Sequence, residues 1–516
     1  MMATYSEAHI CQCLSRLATL RRDSAVTIDG GRRKTGMQFV EGVTGLARGL
    51  LQLGIKPGDV VSISALNSDL YLEWLLAITY VGGIAAPLNY RWSLEEAKSA
   101  MEVAQPVMLA TDSSRGFWHT KFKIDSVPSL RWHVQMDVPL DDNKIFANEL
   151  FEEPSQIPME LDYVWAPERV AIICFTSGTT GRPKGATISH SALVIQSLAK
   201  IATVRYDEDD VYLHTAPLCH IGGISSALAV LMAGGCHVIT PKFEASLAFE
   251  AIREHSVTSL ITVPTMMADL ISFHSVKGRS VAIESVVKIL NGGGGLSAEL
   301  IEEATKIFPR ATIMSAYGMT EACSSLTFMT LYDPTEESRR CRRLPSCDVE
   351  RSNLSRGGGV CVGKPAPHVE LKLRVDDSCD AGRIMMRGPH TMLRYWGQSP
   401  SIRSNSTNEG WIDTGDLGRI DGQGSLWLVG REKDRIKSGG ENIYPEEVEA
   451  VLSQHPGISS LVVIGVPDSR LTEKVIGCIR VKDGWKWADS GANHGQVQCL
   501  SGEILRQFCK GKNLTG

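Results

Sequence analysis

The chain has 516 residues, of which 43% are hydrophobic and 22% are charged, a composition typical of a folded protein rather than a disordered one. This length exceeds what one hydrophobic core usually serves, so two or more domains are expected. The formal net charge of -5 leaves no basic field that would attract nucleic acid or an anionic membrane.

The N-terminal region contains no clear targeting segment. Residues Met1 to Leu20 lack the basic start and long apolar centre of a secretory signal, and they are not clearly rich in Arg and Ser. The most apolar stretch, Leu70 to Leu88, contains Glu73, two glycines and Pro87. It is therefore predicted to form a helix followed by a strand, and no membrane span is expected.

The thirteen cysteines are an odd number and do not predict a disulfide framework. Cys11 and Cys13, like Cys341 and Cys347, lack the spacing of a zinc site. A redox role for the last pair is a minority alternative. Four cysteines lie among apolar or small residues and are expected to be buried: Cys174, Cys219, Cys236 and Cys323. The pattern indicates a reducing compartment.

Helical and strand patterns alternate from residue 38 onwards. Apolar residues recur at helical spacing from Gln38 to Leu53, and Gly54 follows as a stop signal. Strand-like runs are Asp59 to Leu66, Ile84 to Pro87, Val107 to Ala110 and Val170 to Phe175. Helical runs are Tyr71 to Tyr80 and a segment through Lys200 that Ser189 caps. The alternation predicts βαβ units, hence parallel strands with helices on both faces.

The same alternation resumes further along the chain. Strand-like runs are Asp210 to Thr215, Cys236 to Thr240, Ser259 to Val263 and Val286 to Leu290. Helical runs are Ile224 to Met232 and Glu299 to Phe308. The stretch 333–359 is rich in Arg, Ser and Gly without periodicity, so it is predicted to be a long surface insertion.

Beyond residue 359 the pattern becomes richer in strands. Short strand-like runs are Glu370 to Arg374, Gly382 to Arg387 and Gly424 to Gly430. A helix is predicted from Tyr444 to Ser453. The predicted fold is α/β: a large N-terminal domain (1–430) of mostly parallel sheets with helices and a β-rich subdomain, then a small α+β C-terminal domain (431–516).

The stretch from Phe175 to Ala186 holds three glycines, four hydroxyl side chains, one lysine and no acidic residue. Such a loop after a buried strand can turn backbone N–H groups and hydroxyls toward phosphate oxygens, with Lys184 as the cation. It is not a Walker loop, because Lys184 lies between Pro183 and Gly185. The alternative is a solvated hairpin loop between two strands.

Four further clusters follow in order. Asn291 to Gly295 is glycine-rich and could pack flat against a planar base; a flexible turn is an equal alternative. Tyr317 to Glu321 follows the strand-like run Thr312 to Ser315 and offers an aromatic ring, a hydroxyl and a carboxylate suited to Mg²⁺. Thr414 to Asp416 places a carboxylate that could accept hydrogen bonds from a ribose diol. Gly430 to Ile443 is basic and then glycine-rich. Alone, each cluster could be a turn, an ion pair or a cap.

Together and in this order, these clusters resemble the adenylate-forming superfamily of acyl-CoA synthetases, luciferases and peptide-synthetase adenylation domains. Two passages, Ala8 to Leu14 and Tyr71 to Leu76, are further similar to the plant CoA ligases that activate 2-succinylbenzoate for phylloquinone synthesis. The resemblance implies ATP, Mg²⁺ and CoA, a small carboxylic acid substrate, and a chloroplast or peroxisomal location. The oligomeric state is left open.

The resemblance also implies residue roles. The expected catalytic residues are Lys184, Thr320, Glu321, His220 and Lys437. Phosphates are assigned to Thr176, Ser177, Gly178, Thr179, Thr180, Gly181 and Lys184. The rest of ATP is assigned to Gly293, Gly294, Gly295, Tyr317, Gly318, Met319, Thr320, Asp416 and Arg431. For His220, a core histidine is the alternative.

The remaining roles concern the metal, the acid, CoA and the domain movement. Mg²⁺ is assigned to Glu321 and Thr179. Lys433 is assigned to the hinge, and Gly439 and Gly440 to the CoA channel. The expected acyl pocket comprises His220, Gly222, Gly223, Thr265, Ser315 and Ala316. A second substrate carboxylate would need a donor or cation that the sequence does not identify.

The chain departs from the superfamily at its end. A Pro-x-Thr-x-x-Gly-Lys-like segment is expected there, and the chain stops at Gly516 without it. We therefore expect an incomplete small domain and slow adenylation, because one charge-stabilising donor changes the rate about 10²- to 10³-fold. Alternatives to the 2-succinylbenzoate ligase are a ligase for another aryl or fatty acid and an inactive nucleotide-binding remnant.

Overall fold

A computed structural model describes residues 8–115, 118, 127–137, 146–147, 163–176, 182–276, 282–335, 359–375, 381–398, 410–438, 441–488 and 498–510. The chain forms two compact units. The first unit comprises Met1–Glu336, Pro365–Val369 and Gly388–Ser404. The second comprises Glu337–Lys364, Glu370–Arg387 and Asn405–Gly516. The expected domain boundary near Gly430 stays a prediction.

The first unit contains nine described helices. They are α1 Gln12–Leu20, α2 Gly36–Gln52, α3 Asp69–Tyr80, α4 Leu94–Ala104, α5 His190–Val204, α6 Ile221–Ala233, α7 Ala245–His255, α8 Pro264–Val276 and α9 Ala298–Ile307. Side-chain caps explain several starts. Thr35 and Gln38 form a capping box on α2, and the hydroxyl of Ser189 accepts from the N–H of Ala192 on α5, as predicted.

Fifteen strands of the first unit are described. They are β1 Ala25–Asp29, β2 Arg32–Thr35, β3 Val60–Ser64, β4 Ile84–Pro87, β5 Met108–Thr111, β6 Trp132–Gln135, β7 Phe146–Ala147, β8 Val170–Thr176, β9 Lys184–Ser189, β10 Val211–His214, β11 Cys236–Ile239, β12 Ser259–Thr262, β13 Lys288–Asn291, β14 Thr312–Met319 and β15 Ser324–Tyr332.

Two sheets form in the first unit. One has the order β7-β6-β5-β3-β4-β8-β9, with parallel pairs except β8 with β9. The other runs β15-β14-β13-β12-β10-β11-β1-β2, parallel except for the pairs at its two ends. The predicted, mostly parallel α/β architecture is confirmed. The alternation pattern did not predict that β2, β9 and β15 pair antiparallel with their neighbours.

The core of the second sheet consists of apolar side chains on neighbouring strands and the helices that cover them. Leu213, Leu260 and Ile289 come from adjacent parallel strands and are buried. Phe249 of α7 and Phe308 next to α9 stack with ring centroids 6.4 Å apart. Because parallel strands are covered on both faces, their sequences are continuous apolar runs and do not alternate between apolar and polar residues.

The second unit is strand-rich, as predicted. Its strands are β16 Val360–Pro365, β17 Glu370–Arg374, β18 Gly382–Arg387, β19 Ile412–Ile420, β20 Leu426–Arg431, β21 Ile436–Ser438, β22 Glu441–Ile443, β23 Ile458–Asp468, β24 Thr472–Val481, β25 Trp485–Trp487 and β26 Gln498–Leu500. Its described helices are α10 Pro445–Leu452 and α11 Gly502–Lys510. Antiparallel sheets run β17-β18-β19-β20-β16 and β22-β21-β24-β23.

Several predictions about composition can be compared with the structure. Cys174, Cys219, Cys236 and Cys323 are buried as expected, and each described cysteine is free. Within the described part of the chain, no helix has the length and apolarity to cross a membrane. The predicted surface insertion lies outside the described residues over 336–358, as do Cys341 and Cys347.

Candidate active site

The parallel pairing of three strands of the first unit ends at one edge of the sheet. In β12, β13 and β14, the carboxyl-end partners Thr262, Asn291 and Ser315 pair in register. The glycine segment that follows β13 is held by its own strand, because the side-chain amide of Asn291 donates to the carbonyl of Gly294 at 2.7 Å. Ligands of α/β sheets bind outside such carboxyl ends, so this edge is where the site is expected.

The loop before α6 is fixed by a buried asparagine. Asn67 donates from Nδ2 to the carbonyl of Ala216 at 3.2 Å, and its Oδ1 accepts from the N–H of Leu218 at 2.8 Å. This double contact sets the start of the helix at Ile221. His220 occupies the N-cap position without a capping hydrogen bond from its side chain, and its side chain is exposed. Burial of the ring nevertheless lowers the pKa of His220, so its role stays a prediction.

A cavity of about 190 Å³ lies at this edge of the sheet. It is lined by Lys200, Ile221, Gly222, Ile261, Leu290, Gly292, Gly293, Ala316, Gly318, Met319, Thr320, Ser324 and Ser325. Six of these residues were predicted, from the acyl pocket and from the ATP site: Gly222, Gly293, Ala316, Gly318, Met319 and Thr320. Segments about 100 residues apart in sequence thus converge on one space.

Other predicted residues lie outside this lining. His220, Gly223, Thr265 and Ser315 do not line the cavity, although all four are described. Gly223 has a packing role instead, because a Cβ there would lie 2.2 Å from the carbonyl oxygen of Pro217. Lys184, Gly294, Gly295, Tyr317 and Glu321 also lie off the lining.

The motif from Tyr317 to Glu321 differs from its predicted form in one respect. Tyr317, Gly318 and Met319 continue β14, which was expected to end near Ser315, and Thr320 begins a short 3₁₀ turn. The extension exists because β14 pairs with β15 as far as Met319. A Cβ on Gly318 would lie 1.6 Å from the carbonyl oxygen of Ser324, so the close hairpin requires glycine here.

Tyr395 contacts both Glu321 and Lys184. The hydroxyl of Tyr395 donates to Oε1 of Glu321 at 2.7 Å, and Nζ of Lys184 lies 5.3 Å from the centroid of the Tyr395 ring. Burial and the neighbouring Glu321 carboxylate raise the pKa of Tyr395, which keeps its hydroxyl a donor. The sequence placed Lys184 and Glu321 in one site, and it did not identify the tyrosine between them.

The phosphate loop joins two antiparallel strands. Thr176 at the end of β8 pairs with Lys184 at the start of β9. Arg182 and Pro183 are described, and Arg182 is exposed. Five predicted phosphate ligands lie outside the described residues: Ser177, Gly178, Thr179, Thr180 and Gly181. The loop therefore connects a strand hairpin, and its phosphate role stays a prediction.

Two predicted ribose ligands lie side by side in the second unit. Asp416 of β19 and Arg431 of β20 are register partners, and Nε of Arg431 lies 3.3 Å from Oδ1 of Asp416. Asp416 is buried within a strand rather than in an open turn, and its N–H donates to the hydroxyl of Thr414 at 3.1 Å. The preceding Gly415 has a positive φ of 77°, which favours glycine.

Two predicted lysines of the second unit are on its surface. Lys433 lies in the 3₁₀ turn Glu432–Asp434 and is exposed. Lys437 of β21 is exposed, and its backbone N–H donates to Glu473 at 2.6 Å. Gly439 and Gly440, assigned to the CoA channel, lie outside the described residues. The hinge and channel assignments therefore stay predictions.

Glu321 can serve as a single carboxylate ligand of a metal ion. Tyr395 occupies its Oε1, and no described donor reaches its Oε2. Within the described part of the chain, no cluster of three His, Cys, Asp or Glu side chains could bind a metal alone. Mg²⁺ commonly takes one or two protein carboxylates and completes its shell with substrate phosphates and water, so Glu321 fits such a site.

The sequence and the fold were compared with known proteins. The sequence model of the AMP-binding enzyme family matches residues 14–396. The 2-succinylbenzoate–CoA ligase, chloroplastic/peroxisomal, of Arabidopsis thaliana is 53% identical over 526 aligned positions, covering 100% of this chain and 92% of that protein. The indoleacetate–CoA ligase of Aromatoleum aromaticum is 30% identical, covering 89% of this chain and 85% of that protein.

A solved structure matches nearly the whole chain. It is the o-succinylbenzoate CoA synthetase of Bacillus subtilis in complex with its acyl-adenylate intermediate, with a TM-score of 0.76 and 26% identity, covering 99% of this chain and 93% of that one. The same enzyme has also been solved with ATP and magnesium, which matches with a TM-score of 0.74 and 25% identity, covering 97% of this chain and 92% of that one.

Proposed function

Because the chain belongs to the AMP-binding enzyme family, we propose that it is an ATP-dependent ligase that joins 2-succinylbenzoate to CoA. The observation that carries the proposal is the 53% identity to the Arabidopsis ligase across the whole chain. The site supports it, because residues expected to contact the nucleotide and residues expected to contact the acid line one cavity.

The proposed reaction has two steps. An oxygen of the substrate carboxylate attacks the α-phosphorus of ATP, the bond to the bridging oxygen breaks, and pyrophosphate leaves. The thiol sulfur of CoA then attacks the acyl carbon of the adenylate, AMP leaves, and the thiol proton is released. The first step brings two anions together, so cations and aligned donors are needed to lower the barrier.

We assign the phosphate-facing roles to residues around Tyr395. Lys184, placed over the ring of Tyr395, would neutralise phosphate charge, and Thr320 would donate its hydroxyl to the α-phosphate. Glu321, oriented by the Tyr395 hydroxyl, would hold Mg²⁺. Mg²⁺, when bound, neutralises charge on the phosphate oxygens. Ser177, Thr179 and Thr180 complete the proposed phosphate contacts, as the family resemblance implies.

Other assignments rest on the family resemblance. Tyr317 and the segment Gly293 to Gly295 would contact adenine, and Asp416 with Arg431 would bind the ribose hydroxyls. His220 is proposed to contact the reacting carboxylate and Lys437 to assist the chemistry. Lys433 would be the hinge of a domain that begins near Arg431, and Gly439 with Gly440 would line the CoA channel.

The location of the enzyme is also proposed. The Arabidopsis relative is described as chloroplastic and peroxisomal. We infer that this chain serves one or both of these organelles. Fluorescent fusions of the complete gene product in plant cells test this, and a purely cytosolic signal would contradict it.

Acid-dependent exchange of labelled pyrophosphate into ATP tests the activity without requiring CoA. Each acid is offered separately: 2-succinylbenzoate, cinnamate and a medium-chain fatty acid. We expect the fastest exchange with 2-succinylbenzoate, because the chain is 53% identical to a ligase of that acid. Exchange with cinnamate and none with 2-succinylbenzoate would contradict the proposed substrate. It would still support the proposed activation of a carboxylic acid by ATP. No exchange with any acid would point to an inactive nucleotide-binding protein.

A further inference from the structure

Helix α5 buries a lysine that sequence reasoning left without a role. Lys200 is fully buried, and its Nζ donates to the hydroxyl of Ser225 at 2.7 Å and to that of Ser226 at 2.9 Å. Both serines belong to α6. Lys200 also lines the cavity described above. A lysine this deeply buried is rare unless something pairs with its charge.

No carboxylate of the described residues forms an ion pair with Lys200. An ammonium group has three N–H donors, and the two serine hydroxyls satisfy only two of them. Burial correspondingly lowers the pKa of Lys200 to about 7, while the nearby Cys323 acts in the opposite direction. A buried cation without a counter-ion is costly, so a ligand anion would remove that cost.

The two serines that hold Lys200 lie about one turn of α6 beyond Gly222, a residue predicted to contact the acid. The hydroxyl of Ser225, which accepts from Lys200, lies 3.5 Å from the carbonyl oxygen of Gly222. Gly222 lines the cavity together with Ala316 and Ile221. Along an α-helix, residues from 222 to 226 span about 6 Å, the scale of one aryl ring.

The size and chemistry of the cavity suit an aryl group with one anionic substituent. A cavity of about 150 Å³ accepts benzene, and this one measures about 190 Å³. Its apolar wall consists of Ile221, Ile261 and Leu290. Among the described residues that line it, Lys200 is the one charged side chain.

We propose that Lys200 binds the second carboxylate of the substrate, the one that is not activated. This inference rests on the proposed function and adds the residue that makes the enzyme prefer a dicarboxylic acid. Ser225 and Ser226 hold the ammonium group in place, and its third N–H faces the ligand. A monoacid leaves the buried cation unpaired, so the monoacid binds more weakly than the diacid.

The substitution Lys200→Met tests this with three acids. One is 2-succinylbenzoate, and two are monoacid analogues: 4-oxo-4-phenylbutanoate, which lacks the ring carboxylate, and 2-butanoylbenzoate, which lacks the chain carboxylate. Pyrophosphate exchange gives kcat/KM for each acid. The preference for the diacid over the better monoacid should fall about 10- to 100-fold, the range for a hydrogen bond to a charged group. Lys306→Met, at an exposed lysine of α9, is the matched control and should leave the preference unchanged.

The outcomes separate the two proposals. Wild-type enzyme that does not activate 2-succinylbenzoate contradicts the proposed function. Wild-type enzyme that prefers the diacid, with a Lys200→Met variant that keeps the same preference, contradicts the role of Lys200. A purely structural lysine would lower kcat/KM for all three acids equally. The melting temperature of Lys200→Met should not fall, because methionine buries no unpaired charge. Should the variant nevertheless fail to fold, Lys200→Gln also removes the charge and carries the same comparison.

Discussion

At the scale of single residues, Glu321 and Tyr395 define the charge chemistry of the candidate site. The tyrosine hydroxyl fixes one carboxylate oxygen at 2.7 Å while its ring lies under the ammonium group of Lys184. Backbone contacts support this arrangement, because the N–H of Met392 donates to the carbonyl of Glu321 at 2.8 Å. One side chain thus positions both a cation and an anion.

Substitution of Glu321 by Gln should remove the metal-binding charge without changing the shape of the side chain. We expect kcat for pyrophosphate exchange to fall about 10²- to 10³-fold, since the charge acts on the transition state. The Mg²⁺ concentration that gives half-maximal rate should rise. The control, Tyr395→Phe, keeps the carboxylate. It should lower kcat only about tenfold, because it removes one hydrogen bond. Equal losses in the two variants would contradict a metal role for Glu321.

Contiguous motifs in the sequence identified some residues of the site. Residues that come close to the site only in the folded chain were missed. Lys184 and Glu321 each belong to a short contiguous motif of the sequence. Tyr395 lies 74 residues from the carboxylate that it contacts, and no local pattern marks it. Lys200 offered one signal, since it is the sole Lys, Arg, Asp or Glu in the helical run from His190 to Val204. A helical lysine is ordinarily exposed, so the pattern alone could not identify its burial.

At the scale of elements, the start of α6 sets one wall of the cavity through two adjacent glycines. A Cβ on Gly222 would meet no atom within 4 Å, whereas a Cβ on Gly223 would lie 2.2 Å from the carbonyl oxygen of Pro217. Only Gly222 lines the cavity. Gly223 is therefore required for packing, whereas Gly222 is positioned to contact a ligand in the cavity.

The matched substitutions Gly222→Ala and Gly223→Ala should have opposite consequences. Gly223→Ala forces the helix away from the Pro217 carbonyl, and overpacking of this kind costs about 1–3 kcal/mol of unfolding free energy. Gly222→Ala should fold at least as stably, since alanine favours helix by up to about 1 kcal/mol. It should instead raise KM for the acid by narrowing the cavity. Denaturant unfolding and exchange kinetics measure both effects, and a destabilised Gly222→Ala protein with normal KM would contradict the assignment.

The segment before α1 docks through a histidine that must stay neutral. Nδ1 of His9 accepts from the N–H of Cys11 at 3.1 Å, and its ring stacks on His190 with centroids 3.7 Å apart. Burial lowers the pKa of His9 to about 4. Burial, with a contribution from His9, lowers the pKa of His190 to about 2. Protonation of either ring would disrupt this packing.

Stability should consequently fall in mild acid. The folded-state pKa of His9 is below the ordinary value of about 6.5, so the unfolded state binds more protons as the pH drops. The contribution of His9 is complete above about pH 6.5 and decreases toward pH 4, with about 2 kcal/mol lost by pH 5. His9→Asn keeps an acceptor that does not titrate. Melting curves from pH 7.5 to 5 should show a shallower decline for the variant, and identical slopes would contradict this account.

Element types followed well from periodicity, and element ends followed less well. The strand Ile84–Pro87 and the strands Glu370–Arg374 and Gly382–Arg387 have the predicted bounds. The strand β14 extends four residues beyond its predicted end at Ser315, because pairing with β15 continues to Met319. The short strands β1 and β2 were not predicted. β1 pairs with β11, which lies about 200 positions away in sequence, and β2 pairs with β1.

At the scale of the whole molecule, two units carry separate parts of the proposed chemistry. The first holds the cavity, Lys184 and Glu321, and the second holds the pair Asp416 and Arg431. The parallel sheets of the first unit bring strand ends together at one edge, which explains why motifs spread over some 100 residues line one cavity. The α/β class followed from the alternation of elements, whereas the grouping into units depends on contacts far apart in sequence.

The central claim is that the acid is activated as its mixed anhydride with AMP. Transfer of carboxylate oxygen tests it most directly. The enzyme is given 2-succinylbenzoate labelled with ¹⁸O in both carboxylates, together with ATP, Mg²⁺ and CoA, and the products are analysed by mass spectrometry. Attack on the α-phosphorus predicts that AMP carries one ¹⁸O atom for each thioester formed. Label in inorganic phosphate with release of ADP would contradict the claim, because it would require an acyl phosphate instead.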